Sequence, residues 1–156
     1  MTLAELSKQV LACSRCALRG GATAPVPGLG ECGAKYFIIG EAPGREEDRD
    51  NVPFVGMAGK RLNKLLALGG IDPNDCYITN SIKCRPPTNR TPRKGERLAC
   101  YPWLKQELQL IKPEYIITLG AIPLSLFCDN GVKQMHGTMF EVELDLEEKI
   151  DASSLL

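Results

Sequence analysis

The sequence predicts an α/β domain of three layers, α/β/α, around a central and mostly parallel sheet of four strands. Three observations lead to this prediction. Short apolar runs alternate along the chain with longer segments of helical periodicity. The runs end in turns rich in Gly, Asn and Pro. With 156 residues, 44% of them hydrophobic, one domain over residues 1–156 is expected. The order of elements implies right-handed crossovers with helices on both faces of the sheet.

The first half of the chain predicts two helices and one strand. Apolar spacing over Leu3–Ala12 indicates a short helix. The Gly/Pro-rich residues 20–33 are expected to form an ordered loop. Tyr36–Ile39 is predicted as a buried strand that ends in the tight turn Gly40–Gly44. Ala58–Leu68 is predicted as a helix, since its leucines share one side and glycines follow it.

The second half continues the same alternation. Cys76–Thr79 is predicted as a strand, Leu98–Ile111 as a helix, and Glu114–Leu119 as a strand that runs into Gly120 and a short helix. The alternation over Thr138–Leu144 predicts a fourth strand. Because ligands of parallel sheets bind at the carboxyl ends of the strands, we expect a pocket there.

Charge is balanced in total but segregated along the chain. The formal net charge is +0. One short stretch carries six basic side chains with only Glu96 against them: Lys83, Arg85, Arg90, Arg93, Lys94 and Arg97. The C-terminal stretch is acidic: Glu141, Glu143, Asp145, Glu147, Glu148 and Asp151. A basic stretch of this kind is a solvated loop or a surface for nucleic acid, and charge alone leaves both open.

Four of the seven cysteines predict a metal centre. Cys13-x-x-Cys16 is followed, after a long gap, by Cys84 and Cys100, which flank an Arg/Pro-rich loop. Thiolates in this pattern suit an iron–sulfur cluster or zinc, beside a basic surface. A redox pair, a disulfide or unrelated thiols are the alternatives that spacing leaves open.

The remaining cysteines and the apolar runs indicate the setting of the protein. Three cysteines lie in or beside apolar runs and are predicted to be small core residues: Cys32, Cys76 and Cys128. An odd number of cysteines without a signal peptide favours a reducing, intracellular location over a secreted disulfide framework. No run of 18 apolar residues occurs, so no membrane span is expected.

Two stretches resemble the motifs of the iron–sulfur, or family four, uracil-DNA glycosylases. They are Gly40–Asp48 with the following Pro53–Gly59, and Tyr77–Pro87 with the later Cys100. The resemblance runs from about Leu3 to Leu119 and implies the uracil-DNA glycosylase fold. It also implies that the four cysteines hold a [4Fe-4S] cluster, with zinc as the less favoured occupant: Cys13, Cys16, Cys84 and Cys100.

The resemblance also implies a uracil-binding pocket and a monofunctional glycosylase that hydrolyses the N-glycosidic bond of uracil in DNA. Phe54 would stack on a flipped uracil, Asn80 would pair with its edge, and the backbone at Glu41 and Ala42 would donate to a uracil oxygen. Taken singly, the same residues could be a core Phe, a capping Asn and a turn.

The residues of the catalytic step depart from the wider pattern. Ala42 stands where related glycosylases without a cluster carry a water-orienting carboxylate, which leaves Glu41 and Glu47 as the nearest carboxylates. A His-Pro motif expected near the C-terminus is absent, and a loose register puts Asp151 in place of its histidine. The only histidine, His136, is expected to be structural or to face phosphate. A naturally short chain and a truncated product are both compatible with this ending.

Uracil-containing DNA is the expected partner, bound through Arg85, Arg90, Arg93 and Lys94. We also expect a monomer, with a protein partner at the acidic C-terminus as a further possibility. The resemblance suggests a cytoplasmic, nucleoid-associated protein of a prokaryote or virus. The alternatives are a non-catalytic iron–sulfur module that binds uracil or DNA, and a glycosylase for another damaged base.

Overall fold

The computed structural model describes residues 1–144 and 146. Within them the sheet has three parallel strands in the order β2-β1-β3: β1 Tyr36–Gly40, β2 Cys76–Asn80 and β3 Tyr115–Thr118. The central strand pairs with both neighbours, and its last residue, Gly40, lies opposite Asn80. The three strands therefore end together, with polar and glycine residues at the edge where a ligand is expected.

Six α-helices are described: α1 Leu3–Leu11, α2 Arg45–Asp50, α3 Met57–Leu68, α4 Lys94–Ile111, α5 Ala121–Leu124 and α6 Val132–Met135. Short 3-10 turns lie at Ala17–Gly20, Pro73–Asp75 and Pro87–Asn89. Helix α4 begins one turn before the predicted start at Leu98. The side chain of Glu96 accepts from the backbone N–H of Arg93 at 2.7 Å, which caps this polar first turn. Helix α2 is an element that the sequence pattern did not predict.

Alternating side chains of β1 pack against helices on opposite faces of the sheet. Phe37 and Ile39 lie in one buried cluster with Leu104 of α4, whereas Ile38 lies in another with Leu62 of α3. This period of two is what a strand covered on both faces requires. The three-layer α/β/α prediction is confirmed.

The N-terminal segment packs on the outer side of α4. Leu6 and Val10 of α1 lie in a buried cluster with Trp103. Helix α1 starts at a capping box, in which the Thr2 hydroxyl accepts from the Glu5 N–H and the Glu5 carboxylate accepts from the Thr2 N–H. This packing brings the end of α1, where the Cys-x-x-Cys pair begins, close to α4.

The connector over residues 20–33 is an ordered loop, as predicted. Leu29 forms an isolated antiparallel bridge with Ile78 of β2, and the Val26 N–H donates to the Lys83 carbonyl at 2.6 Å. The loop thereby covers the outer side of β2 and meets the segment that follows it.

The predicted fourth strand over Thr138–Leu144 is wrong. The segment is irregular, and Met139, Phe140 and Val142 are exposed. Alternation shows only which side chains could share a face, whereas a strand also needs a neighbouring edge to supply hydrogen-bond partners. Within the described residues, this segment pairs with none of the three strands.

The prediction for the three remaining cysteines is confirmed for one of them. Cys76 at the start of β2 is buried, and Cys128 is half-buried. Cys32 is exposed because it lies in a turn between Gly30 and Gly33, both with positive φ, and not in an apolar run. The part of the chain that the structure describes contains no helix with the length and apolar character that a membrane span requires.

Candidate functional site

A cavity of about 560 Å³ lies at the carboxyl ends of β1 and β2, where the sequence predicted a pocket. Its lining includes seven of the predicted site residues: Glu41, Ala42, Glu47, Phe54, Asn80, Arg85 and Arg90. Arg93 and Lys94 are exposed and do not line it. Asp151 lies outside the described residues. The volume is in the usual range for a small-molecule site.

Gly40 allows the two predicted base-binding side chains to meet. A Cβ atom at this position would lie 2.4 Å from Oδ1 of Asn80 and 2.4 Å from Cζ of Phe54, far inside van der Waals contact. The amide of Asn80 and the ring of Phe54 therefore both cover the end of β1. Asn80 is only 4% exposed, so its amide is held in a nearly water-free position.

Phe54 adopts a left-handed backbone conformation, with φ 56°. This conformation is uncommon for a bulky residue and costs on the order of 1–3 kcal/mol. Gly59, in the first turn of α3, makes it sterically possible. A Cβ on Gly59 would lie 1.8 Å from the carbonyl oxygen of Phe54, so the helix can approach only at a glycine. Strain at a residue that lines a cavity is typical of a binding site.

Glu47 joins two loops of the cavity. One carboxylate oxygen accepts from the N–H of Gly56 at 3.0 Å, and the other accepts from the N–H of Gly44 at 3.2 Å. Gly44 and Gly56 are the residues that precede α2 and α3. Because the carboxylate is buried and both oxygens are bonded to the backbone, this arrangement favours a positioning role.

The Gly40–Gly44 turn is fixed to the segment that follows β2. The carbonyls of Gly40 and Glu41 accept from the N–H groups of Ser81 at 2.8 Å and Ile82 at 3.0 Å. Glu41 itself is half-buried and lines the cavity. Among the described residues, no backbone N–H donates to its carboxylate as Gly44 and Gly56 do to that of Glu47. Of the two predicted carboxylates, Glu41 is thus the better placed to face a ligand.

The basic loop is ordered by its own polar contacts. Nε of Arg85 donates to Oδ1 of Asn89 at 2.7 Å. Arg90 binds Glu96 through two parallel bonds of 2.7 and 2.9 Å, and these bonds lower the pKa of Glu96 to about 2. Glu96 therefore neutralises the charge of Arg90, while Arg93 and Lys94 present theirs to solvent.

Lys83, which the sequence placed in the basic stretch, is not part of that surface. Its side chain is 1% exposed and forms an ion pair with the equally buried Glu107, at 2.7 Å between Nζ and Oε2. Glu107 is 24 residues further along the chain, so no local charge pattern could reveal this pairing.

The four predicted metal ligands lie around one small cavity next to the basic loop: Cys13, Cys16, Cys84 and Cys100. All four are free thiols, so the disulfide alternative is not realised in this structure. Two N–H groups donate to their sulfurs, from Nε1 of Trp103 to Cys13 and from the backbone of Lys83 to Cys100, both at 3.2 Å. Such N–H···S contacts commonly surround metal-bound sulfur.

Burial and mutual proximity disfavour the ionised form of these thiols. Burial raises the pKa of Cys84 to about 12 and that of Cys100 to about 11, and the neighbouring thiols add to both shifts. Within residues 1–144 and 146, no three Cys, His, Asp or Glu side chains are arranged to hold a metal ion as they stand. The assignment of these cysteines as metal ligands therefore stays a prediction.

Several residues that form the site were not predicted from the sequence. Gly59 could have been suspected, because an isolated glycine inside a helix often marks a close approach of backbone. Nothing in the sequence pattern distinguishes Trp103 and Glu107, since Trp and Glu side chains occur in many amphipathic helices without any role in a site. Gly40 was predicted only as a turn former.

The fold and the cavity define an α/β domain that binds its ligand at the carboxyl ends of parallel strands, beside a basic loop. A match to the uracil DNA glycosylase superfamily covers residues 27–151. A type-4 uracil-DNA glycosylase of Thermotoga maritima is 44% identical over 124 residues, 80% of this chain and 65% of that protein. One of Archaeoglobus fulgidus is 37% identical over 148 residues, which are 91% of this chain and 74% of that protein. One of Pyrobaculum aerophilum is 44% identical over 122 residues, which are 78% of this chain and 62% of that protein.

The chain belongs to the uracil DNA glycosylase superfamily. It spans less than two thirds of the length of the relatives from Thermotoga and Pyrobaculum.

Proposed function

We propose that this protein hydrolyses the N-glycosidic bond of uracil in DNA. The observation that carries the proposal is the meeting of the Phe54 ring and the Asn80 amide over Gly40, in a cavity that Arg85 and Arg90 also line. The three relatives described above bear the name type-4 uracil-DNA glycosylase, and that name supports the same assignment.

Recognition of the base follows from the two side chains. A base that leaves the DNA stack loses a few kcal/mol of stacking and pairing, which an aromatic ring in the pocket can offset. The amide of Asn80 can accept from N3–H of uracil and donate to O4. Cytosine presents the opposite pattern of donors and acceptors at these atoms, so the same amide would exclude it.

Cleavage requires stabilisation of the uracil anion that departs from the sugar. The guanidinium of Arg85 beside the cavity and the backbone N–H groups of the turn at Glu41 and Ala42 would supply this stabilisation. We assign to Glu41 the orientation of the attacking water, because this residue lines the cavity and is half-buried. Glu47 would keep the two loops of the cavity in register through its backbone bonds.

The thiol cavity is the proposed site of a [4Fe-4S] cluster, with zinc as the less favoured occupant. Four free thiols around one cavity match the donor set of such a cluster. When bound, the cluster would supply structural cross-linking between α1, the basic loop and α4. A thiolate centre of this kind requires a reducing compartment, which is where we place the protein.

DNA would be bound beside the cavity. Arg85 is half-buried at its rim, and the exposed Arg93 and Lys94 extend the basic surface, so these side chains would contact phosphate. A monomeric state and a protein partner at the acidic C-terminal stretch stay predictions.

The test is release of uracil from a single-stranded oligonucleotide that contains one uracil, detected as abasic sites cleaved by alkali. The expected result is strand cleavage with the uracil oligonucleotide and none with its thymine or cytosine counterparts. Absence of release with protein in excess, when its metal content is intact, would contradict the proposal.

One observation favours a second candidate, a module that binds uracil-containing DNA without cleaving it. His136, the only histidine in the sequence, does not line the cavity. Under this alternative, single-turnover assays would show no release, while a uracil oligonucleotide would still bind more tightly than its cytosine counterpart.

A further inference from the structure

Lys83 lies between the thiol cavity and the larger cavity at the carboxyl ends of β1 and β2. It is one of the residues that line the thiol cavity, and the next residue is Cys84. Its side chain runs back toward the end of β2, where Asn80 lines the larger cavity. Lys83 thus lines the thiol cavity and contacts Asn80, a residue of the larger one.

All three ammonium hydrogens of Lys83 have a buried acceptor. Nζ donates to the backbone carbonyl oxygen of Asn80 at 2.9 Å, to Oγ1 of Thr79 at 2.6 Å and to Oε2 of Glu107 at 2.7 Å. An ammonium group has three N–H donors and no acceptor, so its bonding capacity is filled. Two of the three acceptors belong to the last two residues of β2.

Glu107 extends this network to the connector over residues 20–33. Its carboxylate accepts from the hydroxyl of Thr79 at 3.0 and 3.2 Å and from the backbone N–H of Gly28 at 3.2 Å. The carboxylate therefore balances the buried ammonium charge and fixes its position. Breaking one partner of such a pair is costly, whereas neutralising both partners together is often tolerated.

The backbone of Lys83 is held as firmly as its side chain. Its N–H donates to Sγ of Cys100 at 3.2 Å, and its carbonyl accepts from the N–H of Val26 at 2.6 Å. The position of the ammonium group is consequently set by the thiol cavity on one side and by the connector on the other.

We propose that Lys83 is a positioning residue that fixes the orientation of Asn80 and makes it depend on the integrity of the four-cysteine site. The inference rests on the proposed function, because it deepens the role given to Asn80 in reading uracil. Lys83 acts through the backbone carbonyl of Asn80 and does not contact the base. The thiol site then serves base selectivity as well as the shape of the basic loop.

A purely structural ion pair would have a different signature. It would contribute to the free energy of unfolding, but its neutralisation in a folded protein would leave base discrimination unchanged. A positioning role requires that discrimination falls while the fold and the affinity for undamaged DNA persist.

The decisive variant is the double substitution Lys83→Met and Glu107→Gln. Met retains most of the length of the Lys side chain, and Gln retains a carbonyl oxygen for the N–H of Gly28, so no buried charge is left unpaired. The matched control is Lys35→Met with Glu114→Gln, which removes an exposed ion pair of 3.8 Å at the other end of the sheet.

Two readouts are measured on each protein with its metal centre as isolated. The first is the ratio of affinities for uracil and cytosine oligonucleotides, together with single-turnover uracil release. The second is hydrogen–deuterium exchange over residues 79–83, with circular dichroism to verify the fold. We expect the double variant to lose about tenfold or more in discrimination and release, because small displacements of a binding group have effects of that size. Exchange over 79–83 should accelerate, and the control should match the wild type.

Unchanged discrimination and unchanged exchange in a folded double variant would overturn the inference. If the double variant does not fold, exchange in the wild-type protein decides. If the amides of residues 79–83 exchange only when the whole protein unfolds, the segment is fixed and the inference is supported. If they exchange through a local opening of much lower free energy, the inference is overturned. If the wild type neither binds nor releases uracil selectively, the proposed function fails, and the exchange data still decide whether Lys83 restrains Asn80.

Discussion

Single atoms determine whether the candidate site can form. The Phe54 ring and the Asn80 amide occupy the space that a Cβ on Gly40 would take, and the Phe54 carbonyl occupies the space that a Cβ on Gly59 would take. Glycine is thus required here for the space it leaves, since neither position has a positive φ. The strained φ of Phe54 is stabilised by this close packing, because a displaced α3 would release it.

Gly40→Ala should therefore reduce uracil release by about a hundredfold, since the added methyl group displaces both base-binding side chains. Single-turnover release measures the effect. Gly95→Ala is the control, because a Cβ there meets nothing within 4 Å and Gly95 lies in α4. Equal rates for both variants would show that Phe54 and Asn80 do not act together.

At the scale of elements, carboxylates at helix starts hold the loops around the cavity. Glu47 accepts from the backbone before α2 and before α3, and Glu96 accepts from the backbone before α4 while binding Arg90. The first turns of three helices are thus fixed by two buried carboxylates, where negative charge is also favoured by the helix dipole.

Glu47→Gln should lower the free energy of unfolding by about 1–3 kcal/mol, because the amide NH₂ faces a backbone N–H that loses its acceptor. Urea denaturation measures this change. Asp50→Asn on the same helix is the control, since Asp50 is exposed and forms an ion pair with its neighbour Arg49. A loss no greater than in the control would refute the role given to Glu47.

Glu96 should make stability depend on pH in the acid range. Because Arg90 lowers the pKa of Glu96 from 4.5 to about 2 in the folded protein, the carboxylate stabilises the fold fully above pH 4.5. That contribution is lost as the pH falls from 4.5 through about 2. Glu96→Gln should abolish this part of the pH dependence of unfolding. An unaltered acid profile in the variant would contradict the assignment.

The cysteine site gives a prediction at the same scale. Cys84→Ser should lower the content of bound metal and acid-labile sulfide, because it removes one of four thiols around the cavity. Cys32→Ser is the control, since that thiol is exposed and is not among the residues that line the cavity. Iron with sulfide would favour the cluster, and zinc without sulfide would favour the alternative. Equal metal content in both variants would refute the site.

At the scale of the whole molecule, the features that could be predicted from the sequence are those that depend on a local residue pattern or on the fold class. Tyr36–Ile39 is a short apolar run before a Gly/Pro turn, and such a run is a buried strand in nearly any α/β context. The convergence of Glu41 and Asn80 followed from the parallel order of strands. These features depend on neighbouring residues or on fold class alone.

What the sequence could not predict depends on distant partners. Lys83 has the pattern of a surface charge, and only the approach of Glu107 makes its burial possible. The segment Thr138–Leu144 has the pattern of a strand, yet among the described residues no strand edge pairs with it. The start of α4 is polar and is fixed by Glu96 rather than by apolar periodicity.

Single-turnover excision by Asn80→Ala beside the wild type tests most directly whether Asn80 and Phe54 form a pocket that recognises uracil. The two proteins are compared on oligonucleotides that carry uracil, cytosine or thymine at one position. We expect uracil-specific release by the wild type and a loss of about a hundredfold or more in the variant. Uracil release at an undiminished rate and with unchanged selectivity in Asn80→Ala would contradict this expectation.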